Sequence, residues 1–415
     1  MAHLARTIVN IVALGCAFAA AGSPAGAATL PAWQPGYLEI HHIATDRGNA
    51  TFFILPDGTT MLYDAGASAS PADVSSPERP SGERRPGEWI ARYIQRHAPP
   101  GRPLRLDYLV VSHFHPDHTG DVTAATPLAA HQPYRLTGVT DVAEQLPIGT
   151  VVDRGFPDYA YPAPITKMGP FAENYLRFIE TRPAAGTAVE RAIVGSSSQV
   201  RQRYSGAAGA TVRIVAANGQ VWDGRDGTRS LFPALSSLPP EDQPNENMCS
   251  VALRVGYGNF AYFSGGDLTS YSFDGLQPWR NVLGPAANAA GPVDVATADH
   301  HGLFDGLNAD VVKALRPQAW VVQGWHITHP DLLQLERMLS PRLYPGARGL
   351  YASGITPANL LANRRLLSQA GSVDGHIVVR VAPGGQTYMI YVTDNHDELD
   401  TIVRADGPYT ARSAR

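Results

Sequence analysis

A chain of 415 residues that is 44% hydrophobic and 17% charged has the makeup of an ordinary globular protein, with ample apolar material for one or two domains. Its formal net charge of −4 excludes a global electrostatic attraction to nucleic acid or an anionic membrane, so only a local basic patch would serve such partners.

Residues 1–27 read as a signal peptide: Arg6 is the only formally charged residue, Ile8 to Ala21 is almost continuously apolar, and Ala25-Gly26-Ala27 offers a small-residue cleavage site. The apolar run of about 14 residues is shorter than the roughly 20 that a spanning helix needs, so no stable membrane anchor is expected. Cys16 follows Ala13-Leu14-Gly15, which fits a lipidation box poorly. The expectation is a mature chain starting near Ala28, secreted or periplasmic. Cys249 then remains as its single thiol, and stability must come from packing rather than an internal disulfide.

From Tyr37 to Ala67 the sequence alternates strand-like runs and turns, with Pro56-Asp57-Gly58 between two of them. His41 and His42 lie on the first strand, where a hydrogen-bonded structural role is expected. Residues 68–86 are rich in Pro, Ser, Arg and Glu and read as a solvated loop. Gly87 to His97 reads as an amphipathic helix whose Trp89, Ile90, Tyr93 and Ile94 face the core.

The segment Leu106-Asp107-Tyr108-Leu109-Val110-Val111 has the continuous apolarity of a strand buried on both faces. At its C-terminal end comes Ser112-His113-Phe114-His115-Pro116-Asp117-His118-Thr119-Gly120-Asp121, a dense run of imidazoles and carboxylates. His113 and His115 are two apart, so extended backbone points both rings to one side, and Asp117 and His118 follow where the chain turns. One pair suits one metal and the other pair a neighbour. Two divalent ions roughly 3.5–4 Å apart are a standard means of making a hydroxide nucleophile near neutral pH.

A long stretch, about residues 121–246, then separates this motif from the next strong signal. Within it, Arg154 to Arg182 is aromatic and Pro-rich, and Phe171 to Ile179 turns helical. Tyr159, Tyr161, Phe171 and Tyr175 are candidates for a substrate wall, against the alternative of an excursion packed on itself. Arg201, Arg203 and Arg213 add basic charge, and strand alternation leaves Arg213 exposed without a role. Ser250 to Asp267 reads as two strands joined by Tyr257-Gly258-Asn259, the second ending in Ser264-Gly265-Gly266-Asp267. His300 and His301 follow a strand over Val293 to Thr297, a helix is expected over Ala309 to Leu315 and another over Asp331 to Leu339. His376 to Val392 closes with a hairpin, and residues 394–415 read as a polar tail.

The H-x-H-x-D-H run after a buried strand resembles the metallo-β-lactamase superfamily. Three further segments extend the likeness: Phe52 to Gly66, Asn245 to Leu268 and Val293 to Gly302. The last two resemble the branch containing the hydrolase domain of bacterial DNA-uptake channel proteins and phosphorylcholine esterases. The resemblance implies an α/β fold, a four-layer αββα sandwich over residues 28–393, here with the long insertion. It implies two divalent ions, zinc foremost with manganese or iron(II) as alternatives. His113 and His115 would hold one ion, Asp117, His118 and His301 the other, and Asp267 would bridge them. Asp64 would support the site from behind. A histidine followed by glycine favours His301 over His300 as the last ligand, though the two assignments are interchangeable at this level. Many two-metal relatives carry one more histidine where this chain offers Asn247 or Ser250, so the first ion would be held more weakly. His300 would orient or bind substrate, and His329-Pro330 matches a pair that reaches the site rim, with helix capping as the alternative. The function implied is an exported hydrolase acting on a phosphoester or phosphodiester, with Asp117 able to take a proton. A lactone or β-lactam hydrolase and an extracellular nuclease are the alternatives.

Overall fold

Between Leu38 and Val110 the apolar runs rich in β-branched and aromatic side chains become short strands because those side chains fill both faces of a sheet. The computed structural model describes residues 28–206, 209–346 and 348–412, so the expected signal peptide lies outside the described residues. Strands β1 (Leu38–His42), β2 (Thr51–Ile54) and β3 (Thr60–Tyr63) form the expected meander, closed by the turn at Gly58. Strands β4 (Leu106–Val110), β5 (Ile148–Asp153) and β6 (Ala188–Arg191) then add in parallel to β3.

The second sheet comprises β7 (Ala210–Ala217), β8 (Gln220–Trp222), β9 (Thr228–Ser230), β10 (Ala252–Tyr257), β11 (Phe260–Ser264), β12 (Val295–Thr297), β13 (Ala319–Val322) and β14 (Gly349–Ala352). Its order is β14-β13-β12-β11-β10-β7-β8-β9. The chain returns to the first sheet with β15 (His376–Val381), β16 (Thr387–Thr393) and β17 (Ile402–Thr410), giving the order β17-β16-β15-β1-β2-β3-β4-β5-β6.

Three apolar layers hold this together. Leu38, Ile40, Phe53 and Val110 of the first sheet meet Ile214, Leu253, Tyr262 and Val321 of the second in a shared central core. Helices α1 (Pro86–His97), α2 (Pro116–Thr119), α3 (Val139–Gln145) and α4 (Pro170–Thr181) lie on the first-sheet side; α1, α3 and α4 bury Ile90, Tyr93, Val142 and Phe178 against its outer face. Helices α5 (Leu283–Ala290), α6 (Ala309–Leu315) and α7 (Leu332–Leu339) do the same for the second sheet. Fully burying one such Val, Leu or Phe contributes about 1.5–3 kcal/mol. The result is the expected αββα sandwich. Among the described residues no helix is long and apolar enough to cross a membrane.

Two expectations need correction. Residues 121–246, expected as a long insertion, supply strands of the sandwich itself: β5 and β6 extend the first sheet, and β7 sits inside the second between β10 and β8. Nor are the described residues 394–412 the polar tail expected, because β17 pairs antiparallel with β16 and Ala411 is buried. It is an edge strand exposed along much of its length, so it carries the polar composition of a solvated segment. Just before it, Asp400 meets Arg96 of α1 at 3.1 Å, and Glu398 pairs with Arg92 and Arg96.

Candidate metal centre

The chemistry-bearing residues converge because five strands end on one side of the sandwich. Asp64 follows β3, the histidine run follows β4, Asp267 follows β11, His300 and His301 follow β12, and His329 lies in the loop after β13. Ends of parallel strands expose backbone and side chains that the sheet itself no longer uses, which is where α/β folds place their sites.

Asp64 sits behind the histidines, fully buried. It accepts from the Ser112 backbone N–H at 2.7 Å, the Ser112 hydroxyl at 2.7 Å and His118 Nδ1 at 2.8 Å. Because the Ser112 hydroxyl gives its proton to Asp64, its oxygen can only accept from His113 Nδ1 at 3.1 Å. On the far side, His301 Nδ1 donates to the Gln323 carbonyl at 2.8 Å. In each of these three rings Nδ1 carries a proton and Nε2 points inward; burial opposes a second proton on His118, but Asp267, Asp64 and Asp117 outweigh it and raise this ring well above the usual imidazole value.

What those nitrogens meet is Asp267. Its carboxylate oxygens lie 3.2 Å from His118 Nε2, 3.6 Å from His301 Nε2 and 3.7 Å from His113 Nε2. Asp117 lies 3.0 Å from His301 Nε2 and 3.9 Å from His118 Nε2, while His115 Nδ1 is 3.1 Å from His113 Nε2. Two donor groups result, with every ligand atom within 4.8 Å of the others: Asp117, His118, Asp267 and His301 in one, and His113, His115 and Asp267 in the second. Asp267 belongs to both.

The turn that delivers Asp267 explains its two glycines. A Cβ on Gly265 would meet Asp299 Oδ2 at 2.8 Å, and Gly266 has φ +61° with a Cβ position 2.9 Å from Ser112 Cβ. Asp299 anchors that turn from below by accepting from Gly265 N at 2.7 Å and Thr297 Oγ1 at 3.0 Å, and burial pushes its carboxyl up to about 8. Asp64, His300 and His301 all hold left-handed backbone at φ 63°, 51° and 53°. Such non-glycine conformations cost about 1–3 kcal/mol each and persist where the surroundings impose them.

A metal suits this donor set. His118 Nε2 and Asp267 Oδ1 are buried and face each other at 3.2 Å with no well-aligned hydrogen bond, an expensive state for polar atoms unless something else satisfies them. Imidazole and carboxylate donors converging from several sides match first-row divalent ions. Burial opposes ionisation of Asp117 and Asp267, yet the facing His118 and His301 outweigh it and hold both carboxyls below the usual range. Burial, with His118 beside it, pushes His113 well below the usual imidazole value.

The structure separates His300 from His301. His301 lies within the four-residue donor group, whereas His300 stands at its edge, with Nε2 3.9 Å from Asp267 and 3.1 Å from the Asn247 amide nitrogen. Asp305 holds its Nδ1 at 2.6 Å. Burial lowers its tendency to protonate, but Asp267 and Asp305 more than offset this and raise it to about 9. Asp305 gave no sequence signal, because it becomes relevant only through the loop that folds it back on His300. Asn247 Oδ1 is buried without a partner, and Ser250 Oγ accepts from Asp267 N at 3.3 Å.

His329 stacks on His301 with ring centroids 4.6 Å apart and planes 17° from parallel. It does not cap a helix; Asp331 caps α7 by accepting from Leu333 N. His326 is more exposed, bonded to Thr328 Oγ1 at 2.9 Å. His41 and His42 are structural as expected, the first between Tyr93 and Glu39, the second against Gln323.

The proposed aromatic wall is not a wall. Tyr159 and Tyr175 are buried, and both hydroxyls donate to Asp153 Oδ2, at 2.7 and 2.8 Å. They pack beneath Phe114 with Phe171 beside them in the first-sheet helical core, leaving Tyr161 alone of the four exposed. Arg213 is half-buried, with its guanidinium 4.3 Å from the centroid of the Trp222 ring.

Comparison with known proteins agrees with this geometry in one respect. Residues 44–166 match the Metallo-beta-lactamase superfamily, so the chain contains a metallo-β-lactamase superfamily domain. That segment includes Asp64 and the histidine run but stops short of Asp267 and His301. Among solved structures the chain is similar to that of a mutant of CmlA beta-hydroxylase, at 14% identity and a TM-score of 0.40. That match covers 84% of this chain and 54% of the other, so the chain spans about half of that protein's length. No curated protein matches the sequence.

Proposed function

We propose that this chain is an exported, metal-dependent hydrolase that cleaves phosphoesters at a two-ion centre. The observation that supports it best is the shared Asp267, whose carboxylate faces three Nδ1-protonated imidazoles and belongs to both donor groups. His113, His115 and Asp267 would hold one ion; Asp117, His118, His301 and Asp267 the other. Bound divalent ions, zinc foremost, would supply Lewis acidity toward the ester and lower the pKa of water to near 7.

The chain's own groups would do the rest. Asp117 Oδ2, held by His301 at 3.0 Å, is placed to take a proton from attacking water. His300, with Nδ1 fixed by Asp305, would present Nε2 to a non-bridging oxygen as charge builds on it. His329 would brace the His301 ring through its stack. The phosphoester reading rests on the first donor group, which has three protein ligands and so leaves room for phosphate oxygens. Export rests on the leader-like residues 1–27.

The test is turnover of bis-nitrophenyl phosphate against nitrocefin and a simple lactone, each compared with His113→Ala. Phosphodiester cleavage lost in the variant supports the reading. Efficient opening of the lactone or β-lactam with the phosphodiester untouched would refute the phosphoester assignment.

A further inference from the structure

Among buried charged groups outside the donor set, Arg154 and Glu246 stand out. They lie near the start and at the end of the long stretch after the histidine run, and their side chains are 0% and 8% exposed. Arg154 Nε donates to Glu246 Oε1 at 2.8 Å, and a second nitrogen pairs with Oε2. Its remaining nitrogen reaches the Tyr161 carbonyl at 2.7 Å and Asn218 Oδ1 at 3.2 Å. Replacing a buried ion pair with apolar groups of similar volume is often neutral or stabilising, so fold stability alone is a weak account of this one.

Its contacts say what else it does. Glu246 Oε1 also accepts from the backbone N–H of Phe114 at 2.9 Å, and Phe114 is the residue between His113 and His115. The Arg154 guanidinium lies 4.6 Å from the Phe114 ring centroid, so the pair grips this residue by both its amide and its side chain. The same segment is tied down again nearby, through Val251 N to Ser112 O at 2.9 Å. Among the described residues, neither Arg154 nor Glu246 makes a hydrogen bond or ion pair with Asp117, His118 or His301.

We propose that Arg154 and Glu246 are positioning residues for the donor group of His113, His115 and Asp267, and act on it selectively. The pair fixes the peptide between the two histidines and so sets where both rings point. This gives residues 121–246 a task at the centre without supplying a ligand. The inference rests on the metal-centre reading above.

Zinc titration against a competing chelator, which resolves the two sites, tests it in two folded double variants. R154M/E246Q removes both charges but keeps an amide oxygen for Phe114 N–H; R154M/E246L removes the acceptor as well. The expected result is first-site affinity within about threefold of wild type in the former and lowered about 10–100-fold in the latter, with the Asp117, His118, His301 site unchanged in both. Should R154M/E246L fail to fold, R154M/E246M, whose longer thioether chain fills more of the vacated space but still offers no oxygen acceptor to Phe114 N–H, must show the same site-selective loss. Equal loss at both sites, or no loss, overturns the positioning role while the metal centre stands. Absence of zinc binding by the wild type would instead refute the metal-centre reading itself.

Discussion

His118 donates Nδ1–H to Asp64 at 2.8 Å and thereby turns its Nε2 toward Asp267, 3.2 Å away. One buried carboxylate thus fixes the tautomer and direction of a ring that faces another. Through Ser112 the same Asp64 also orients His113. Asp64→Ala is expected to lower zinc affinity about 10–100-fold without touching a ligand. A chelator competition assay measures this, and an unchanged isotherm would contradict the orienting role.

His300 and His301 are adjacent in sequence but face different partners, Asp305 and Gln323. His301→Ala is expected to cost an ion from the Asp117, His118, Asp267 group. His300→Ala should keep both ions while turnover falls by about 10²-fold or more, the range for a lost proton-transfer or charge-stabilising group. Metal content measured beside kcat for the two variants separates them, and loss of an ion in His300→Ala would reverse the assignment.

The site was legible in the sequence to the extent that it is local. The spacing of His113, His115, Asp117 and His118 follows from extended backbone entering a helical turn, and Asp267 and His301 stand where strands end. What stayed hidden depends on contacts between loops far apart in the chain: Asp305 on His300, Glu246 on Phe114, Asp299 under the Gly265-Gly266 turn. Of the two readings open for Tyr159 and Tyr175, the self-packed one holds, and aromatic content alone could not choose because it does not say which side of Phe114 a ring takes. The carboxylate of Asp153 that receives their hydroxyls was the missing clue. For β17, exposure of an edge strand produced a composition that looks like a solvated tail.

Those two tyrosines give a direct check. Tyr175→Phe leaves the buried Asp153 carboxylate short of a donor and is expected to destabilise the fold by about 1–3 kcal/mol, with substrate preference unchanged. Chemical denaturation together with the substrate panel measures both. A changed preference at unchanged stability would restore the substrate-wall reading.

Stability should also fall with acid through buried histidines outside the two donor groups. His376 accepts from Ala44 N at 2.9 Å on Nδ1, and burial pushes it down to about 3; burial also lowers His42 to about 4. Unfolded, each titrates near 6.5. Between those values the unfolded chain binds more protons than the native one, so stability is full above pH 6.5 and is lost as pH falls toward 4. In His376→Gln, whose amide oxygen still accepts from Ala44, the melting temperature should depend less steeply on pH over that window. An identical slope would contradict the assignment.

The central claim is a two-ion centre joined by Asp267, and metal stoichiometry of the purified protein tests it most directly. Wild type loaded with zinc and freed of excess should carry two ions per chain, released in two phases by chelator because three protein donors face one ion and four the other. Asp267→Ala, still folded, should retain neither ion firmly, since both groups lose a ligand and two close dications lose the carboxylate between them. Wild type without bound metal, or Asp267→Ala with both ions still in place, would contradict the account.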